Sequence, residues 1–143
     1  MRNLLKKSWN TGVRVPPVKW LMLSVLLLSS VGFYVFYALQ PYLLQLYGDT
    51  SAYMIAGLAA ALVAVAQMLG GFMAGRVNKL FTNRPSTLMF LGGISSVLLV
   101  AMYMIDSFFV ALAVVFVWGL TFAAVLPIRQ TYLNGMIAKS ERA

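Results

Sequence analysis

Four long apolar runs without a single charged residue constrain this chain more than any other feature of its sequence. They cover residues 20–39, 52–75, 86–105 and 107–128. A helix needs about 20 mostly apolar residues to cross roughly 30 Å of hydrocarbon. Each run meets that requirement, so the sequence predicts an all-α membrane protein with four transmembrane helices.

The composition excludes most chemistry that a soluble enzyme could perform. Of the 143 residues, 62% are hydrophobic and only 10% are charged, whereas a soluble domain carries about 25% charged residues. The chain has no cysteine, no histidine and only three acidic residues. Thiolate metal sites, catalytic triads and paired-carboxylate hydrolysis therefore lack their residues. We expect neither an enzyme, nor a metal, nor a cofactor.

The charged residues predict how the chain is oriented in the membrane. The two remaining loops contain only Asp49 and Asp106, and all eleven basic residues lie in the two tails or between the second and third runs: Arg2, Lys6, Lys7, Arg14, Lys19, Arg76, Lys79, Arg84, Arg129, Lys139 and Arg142. Basic loops stay in the cytoplasm. The sequence thus predicts a multi-pass protein of the inner membrane with both termini cytoplasmic. Its net charge of +8 indicates a lipid bilayer rather than a nucleic acid as partner.

The chain before the first run is predicted to be a separate segment. Residues 1–19 are interpreted as a basic cytoplasmic linker, and residues 20–143 as the four-helix segment with a cytoplasmic C-terminal tail. Pro16 and Pro17 would end any helix before the first span. A short interfacial helix on anionic headgroups is the alternative. The first run is longer than the apolar core of a cleaved signal peptide, so it is predicted to be a retained span.

Small residues along the second span indicate where another helix could approach closely. Glycine and alanine at four-residue spacing allow such contact in membranes, although both residues are also common in membrane helices generally. The small residues in question are Ala52, Ala56, Gly57, Ala60, Ala61, Ala64, Gly71 and Gly75.

Two stripes of aromatic and polar residues at helical spacing could line a substrate path. One stripe, in the first span, is Ser30, Phe33, Tyr34, Tyr37 and Pro41, with Gln40 at its edge; the other, in the fourth span, is Trp118, Thr121, Phe122, Val125, Arg129 and Tyr132. Aromatic residues near span ends are more often interfacial anchors, which is how Tyr42, Tyr47, Tyr53 and Tyr132 are interpreted. The amide of Gln67 needs a partner or a wet cavity. The residues predicted for the path are Tyr34, Tyr37, Gln40, Gln67, Trp118 and Phe122.

The segment that follows the second span resembles a conserved loop of the major facilitator superfamily. That loop has the pattern G-x-x-x-D-R-x-G-R-R/K, and Gly71, Arg76 and Lys79 match it. Gly75 replaces the aspartate and Asn78 replaces the second glycine. The resemblance implies a conformational loop formed by Gly71, Gly75, Arg76 and Lys79, although the aspartate that has a gating role in the family is absent from it.

Two further segments strengthen this resemblance. The stretch from Leu126 to Ala143 is similar to the end of the tenth helix in bacterial members of the superfamily, and Phe36 to Leu43 resembles the outer end of the seventh. The chain thus resembles helices seven to ten, part of the C-terminal half of such a transporter. In that arrangement spans one, two and four face the cavity or the other half, and span three is peripheral.

The resemblance implies secondary active transport of a small molecule, a drug or a metabolite, by alternating access between two halves. The partners it implies are a small-molecule substrate, a coupling ion such as a proton, and a missing N-terminal half. A partial chain of this kind is expected to be inactive in transport by itself. No charged residue lies within the four spans, so we expect the coupling group elsewhere.

Two alternatives remain open at this stage. One is a complete small four-helix efflux protein, although such proteins need a membrane-embedded glutamate in their first helix and the first span has no carboxylate. The other is a membrane interaction or assembly protein without transport activity. The sequence does not identify the substrate, the coupling ion or the direction of transport.

Overall fold

A computed structural model of the chain describes residues 16–81 and 83–136. Within them the backbone forms four α-helices and no strand: α1 (Pro16–Tyr47), α2 (Tyr53–Lys79), α3 (Arg84–Tyr103) and α4 (Phe108–Met136). All four are long and apolar enough to cross a membrane. The predicted all-α membrane fold is therefore confirmed.

The helices are longer than the predicted spans. Residues 16–19, assigned to the linker, form the first turn of α1, where a proline costs little because its missing N–H would have no helical acceptor. Residues 1–15 lie outside the described part of the chain. Neither Pro41 in α1 nor Pro127 in α4 ends its helix, since each removes only one intrahelical hydrogen bond that packing in a membrane protein tolerates.

The chain divides into two compact units, residues 1–39 and residues 40–143. The division falls within α1, between Leu39 and Gln40. Among the described residues, the first unit consists of the α1 segment from Pro16 to Leu39. The second unit contains the last two turns of α1 together with α2, α3 and α4.

In the second unit α4 is the central helix, because it packs against both α2 and α3 while these two barely touch each other. The face of α2 that is buried consists of small residues: Ala56, Ala59, Val63, Ala66, Gly70 and Ala74. On α4, the buried side chains include Ala111, Val115 and Trp118. Small residues on both helices bring the two backbones close together.

This packed face of α2 differs from the predicted one. Of the small residues singled out in the sequence, Ala56 is buried, but Gly57, Ala60 and Ala64 are exposed, as are Gly71 and Gly75. A strict four-residue spacing drifts around an α-helix by roughly 40° at each step. The buried residues combine steps of three and four, which keeps them on one side of the helix.

A compact cluster joins α2, α3 and α4 at the end where α2 leads into α3. Its buried members are Ala74, Leu91, Ala124 and Ile128, with Val77, Leu88 and Val125 packed around them. Thr87 in the first turn of α3 is fully buried beside this connection. Its hydroxyl donates to the carbonyl of Asn83 at 3.3 Å, which satisfies the polar group.

Candidate functional site

An aromatic pair on α4 is the most enclosed part of the predicted path. The rings of Trp118 and Phe122 stack with centroids 5.2 Å apart and an angle of 27° between their planes. The two residues are one helical turn apart, which places their side chains on the same face. Trp118 is only 1% exposed, whereas Phe122 is half-buried. The pair thus runs from the packed interior of the second unit toward its surface.

Two hydroxyl groups connect α3 and α4 beside this pair. The Ser95 and Thr121 hydroxyl oxygens are 3.1 Å apart, and Thr121 donates to the carbonyl of Trp118 at 2.9 Å. Because the single hydroxyl proton of Thr121 is used in that bond, Ser95 is the donor between the helices. Thr121 belongs to a predicted stripe, but helical spacing gave no indication of its link to Ser95, for which a serine in an apolar span was the only signal.

Gln67 lies next to a close contact between α2 and α4. Its neighbour Ala66 is completely buried, and a Cβ atom on Gly119 would lie 3.1 Å from the Ala66 Cβ. The Gln67 side chain itself is half-buried. Its proposed position on a wet path stays a prediction.

The three path residues predicted on α1 all have accessible side chains. In the first unit Tyr34 is 74% exposed and Tyr37 is 83% exposed, and in the second unit Gln40 is exposed. Pro41 has no amide hydrogen, so the Tyr37 carbonyl loses its usual helical donor. The freed Tyr37 carbonyl was not predicted from the sequence, although the presence of Pro41 four residues later could have indicated it.

The residues that match the family's loop pattern lie in a helix. Gly71, Gly75, Arg76 and Lys79 all belong to α2, and Arg76 and Lys79 occupy its last turn. The connection to α3 comprises only residues 80–83. A Cβ atom on Gly71 or Gly75 would meet nothing within 4 Å. The interpretation of Arg76 and Lys79 as loop residues is therefore wrong, because the helix continues for four residues past Gly75, where the predicted span ended.

At the same end of the unit, Arg84 ties the start of α3 to the end of α4. Its Nη1 donates to the Thr131 carbonyl at 3.0 Å, and a Cβ atom on Gly135 would lie 3.4 Å from that nitrogen. A side-chain donor on a late helical carbonyl stabilises a helix end. In the sequence Arg84 indicated only the topology, and this bond was not predicted.

At the opposite end, Tyr42 ties α1 to the end of α3. Its hydroxyl donates to the Met102 carbonyl at 2.7 Å, and the Tyr47 ring contacts that of Phe108 edge-on at 5.2 Å. Tyr42 was interpreted only as an interfacial anchor, so its hydrogen bond is a further feature that the sequence did not reveal. In the loop after α1, hydrogen bonds from Ser51 lower the pKa of Asp49.

Within the described ranges, no three His, Cys, Asp or Glu side chains come together as a metal site would require. The candidate residues offer instead aromatic surfaces, hydroxyl groups and the amides of Gln40 and Gln67. Such groups can bind and orient a small molecule.

A family model described as Major Facilitator Superfamily matches residues 2–143, which includes all four helices. Comparison with curated proteins and with solved structures finds no match.

Proposed function

Because the chain belongs to the major facilitator superfamily, whose members are membrane transporters, we propose that it takes part in secondary active transport of a small molecule by alternating access. The observation that carries the proposal is the family match over four helices that can each cross a membrane. The proposal covers two substrate classes, drugs that are exported and metabolites.

The proposed path uses side chains of α1, α2 and α4. Tyr34, Tyr37 and Gln40 supply accessible groups on α1. Gln67 and the Trp118–Phe122 pair supply an amide and a stacked aromatic surface. Aromatic side chains with a few polar groups are typical of small-molecule sites, and the presence of these residue types in each unit is what supports the proposal.

The proposed transport also requires helices beyond these four. It requires a coupling ion as well, and we propose that this ion is a proton. Alternating access rocks one helical bundle against another around a central site. Both acidic residues in the described part of the chain, Asp49 and Asp106, lie in connections between helices. A proton-carrying carboxylate within the membrane would therefore come from helices beyond these four.

The path is tested by cysteine accessibility, for which the chain is suited because it has no native cysteine. Tyr37→Cys, Gln40→Cys and Gln67→Cys are each reacted in membranes with a water-soluble methanethiosulfonate. Met89→Cys and Val97→Cys on α3, both highly exposed, serve as matched controls on the helix proposed to face lipid. Path positions are expected to react roughly tenfold faster or more, because the reagent needs a hydrated thiolate. Equal rates at both sets of positions would overturn the path.

Transport itself is tested by dye export from cells that express only these residues. We expect no saturable export above that of cells without the protein, because one bundle cannot alternate by itself. Robust saturable export would contradict this expectation and favour a complete four-helix efflux protein.

A further inference from the structure

The end of the second unit where α2 leads into α3 carries a concentration of positive charge. Arg76 and Lys79 occupy the last turn of α2, Arg84 begins α3, and Arg129 lies in the last two turns of α4. The short 80–83 connection and the Arg84–Thr131 hydrogen bond hold these three helix ends together. We call Arg76, Lys79, Arg84 and Arg129 the basic end.

No carboxylate in the described ranges neutralises the basic end. Asp49 lies between α1 and α2, and Asp106 lies between α3 and α4. Since successive helices run in opposite directions across the membrane, both aspartates are at the other end of the unit. Arg76 and Lys79 are exposed and Arg129 is half-buried, so their charges are open to a ligand.

The position of these charges along the helices matches the depth of lipid headgroups. Arg76, Lys79 and Arg84 lie at the margins of their spans, and Arg129 directly follows the apolar run 107–128. The neighbouring Leu80 side chain is 80% exposed. Arginine and lysine at such margins extend their cationic ends toward the interface. An anionic phospholipid satisfies both features, because its phosphate meets the cations while its acyl chains cover the adjoining apolar surface.

We propose that the basic end is a binding surface for the headgroup of an anionic phospholipid. Clusters of basic residues next to membrane spans attract such lipids. The Arg84 side chain is held in place by its bond to the Thr131 carbonyl. Arg76, Lys79 and Arg129 supply most of the electrostatic attraction to the headgroup. Each of these three charges is expected to raise the local preference for anionic lipid roughly fivefold. This inference does not depend on transport activity.

The test measures which lipid lies next to each end of the unit. A fluorophore is attached at Leu80→Cys, beside the basic end, or at Met104→Cys, which is exposed at the opposite end. The full chain is placed in phosphatidylcholine nanodiscs with a trace of spin-labelled phosphatidylglycerol or spin-labelled phosphatidylcholine, which quenches the fluorophore on contact. Both leaflets of a nanodisc are alike, so the result does not depend on orientation in the cell.

Spin-labelled phosphatidylglycerol is expected to quench the fluorophore at Leu80→Cys several-fold more strongly than spin-labelled phosphatidylcholine does. The fluorophore at Met104→Cys is expected to show no such preference. The triple variant Arg76→Gln, Lys79→Gln and Arg129→Gln is expected to lose the preference. The charge-conserving Arg76→Lys and Arg129→Lys variants are expected to keep it, which excludes a purely structural effect.

Equal quenching by the two lipids at Leu80 would overturn the proposal, as would the same preference at both reporters. A second arm adds inorganic phosphate at constant ionic strength. Loss of the lipid preference there, but not in a matched chloride solution, would assign the surface to a free anion instead of a headgroup. Persistence of the preference supports the lipid.

Discussion

Gly70 of α2 lies directly against the backbone of Leu120 of α4. A Cβ atom on Gly70 would be 2.9 Å from both the carbonyl carbon and the Cα of Leu120, a separation that carbon atoms do not tolerate. A Cβ atom on Gly119, the residue before Leu120, would be only 3.1 Å from the Cβ of Ala66, which lies one helical turn before Gly70. These two glycines define how closely α2 and α4 approach.

We expect Gly70→Ala to destabilise the contact between α2 and α4, because the added methyl group must push two backbones apart. Overpacking of this kind costs about 1–3 kcal/mol. Thermal unfolding in mild detergent measures the effect. Gly71→Ala is the matched control, since the adjacent residue has open space and should change the melting temperature little. Equal destabilisation by the two variants would contradict the helix contact.

Ser95→Ala is expected to weaken the contact between α3 and α4 by removing the donor to Thr121. Hydrogen bonds between membrane helices contribute about 0.6 kcal/mol on average and up to about 1.7. The control is Ser96→Ala, because the Ser96 hydroxyl donates to the Gly92 carbonyl of its own helix. Denaturant titration in detergent should separate the two variants. A larger loss from Ser96→Ala would be incompatible with the bond assigned to Ser95.

Tyr42→Phe removes the hydroxyl that donates to the Met102 carbonyl and leaves the ring in place. We expect a loss of about 0.5–1.5 kcal/mol and faster hydrogen exchange in the last turn of α3. Tyr103→Phe is the control because Tyr103 is 92% exposed. Exchange measured by mass spectrometry on peptides that include residues 100–106 reports the change. Unaltered exchange in Tyr42→Phe would argue against the bond.

The proposed orientation predicts which connections an impermeant thiol reagent reaches in intact cells. Thr50→Cys, between α1 and α2, should react from outside, whereas Asn83→Cys, between α2 and α3, should react only after the membrane is permeabilised. Both side chains are exposed, so accessibility within the protein is matched. The reverse pattern would invert the topology, and labelling of both residues in intact cells would indicate mixed insertion.

The aromatic and polar residues of the candidate path were recognisable in the sequence, but their surroundings were not. Helical spacing brought Trp118 and Phe122 to one face, and the structure stacks them. Spacing gave no indication that Trp118 is buried, because burial depends on which neighbouring helices cover that face. The hydroxyl link from Ser95 to Thr121 joins residues 26 positions apart, and no local pattern encodes such a pair.

The sequence by itself determined the four apolar helices, the separation of positive and negative charge between the two sets of connections, and membership of the transporter family. These properties depend on composition and order along the chain, because a span must exclude charge over its whole length. Only the tertiary structure decided which face of α2 packs, which hydroxyls pair and where Arg84 and Tyr42 bind. Lipid is as apolar as the interior of a helical bundle, so hydropathy does not distinguish the two. The packed face is selected instead by the small volumes of Ala66, Gly70 and Gly119. Their effect depends on which helix packs against them, and that is a property of the tertiary structure.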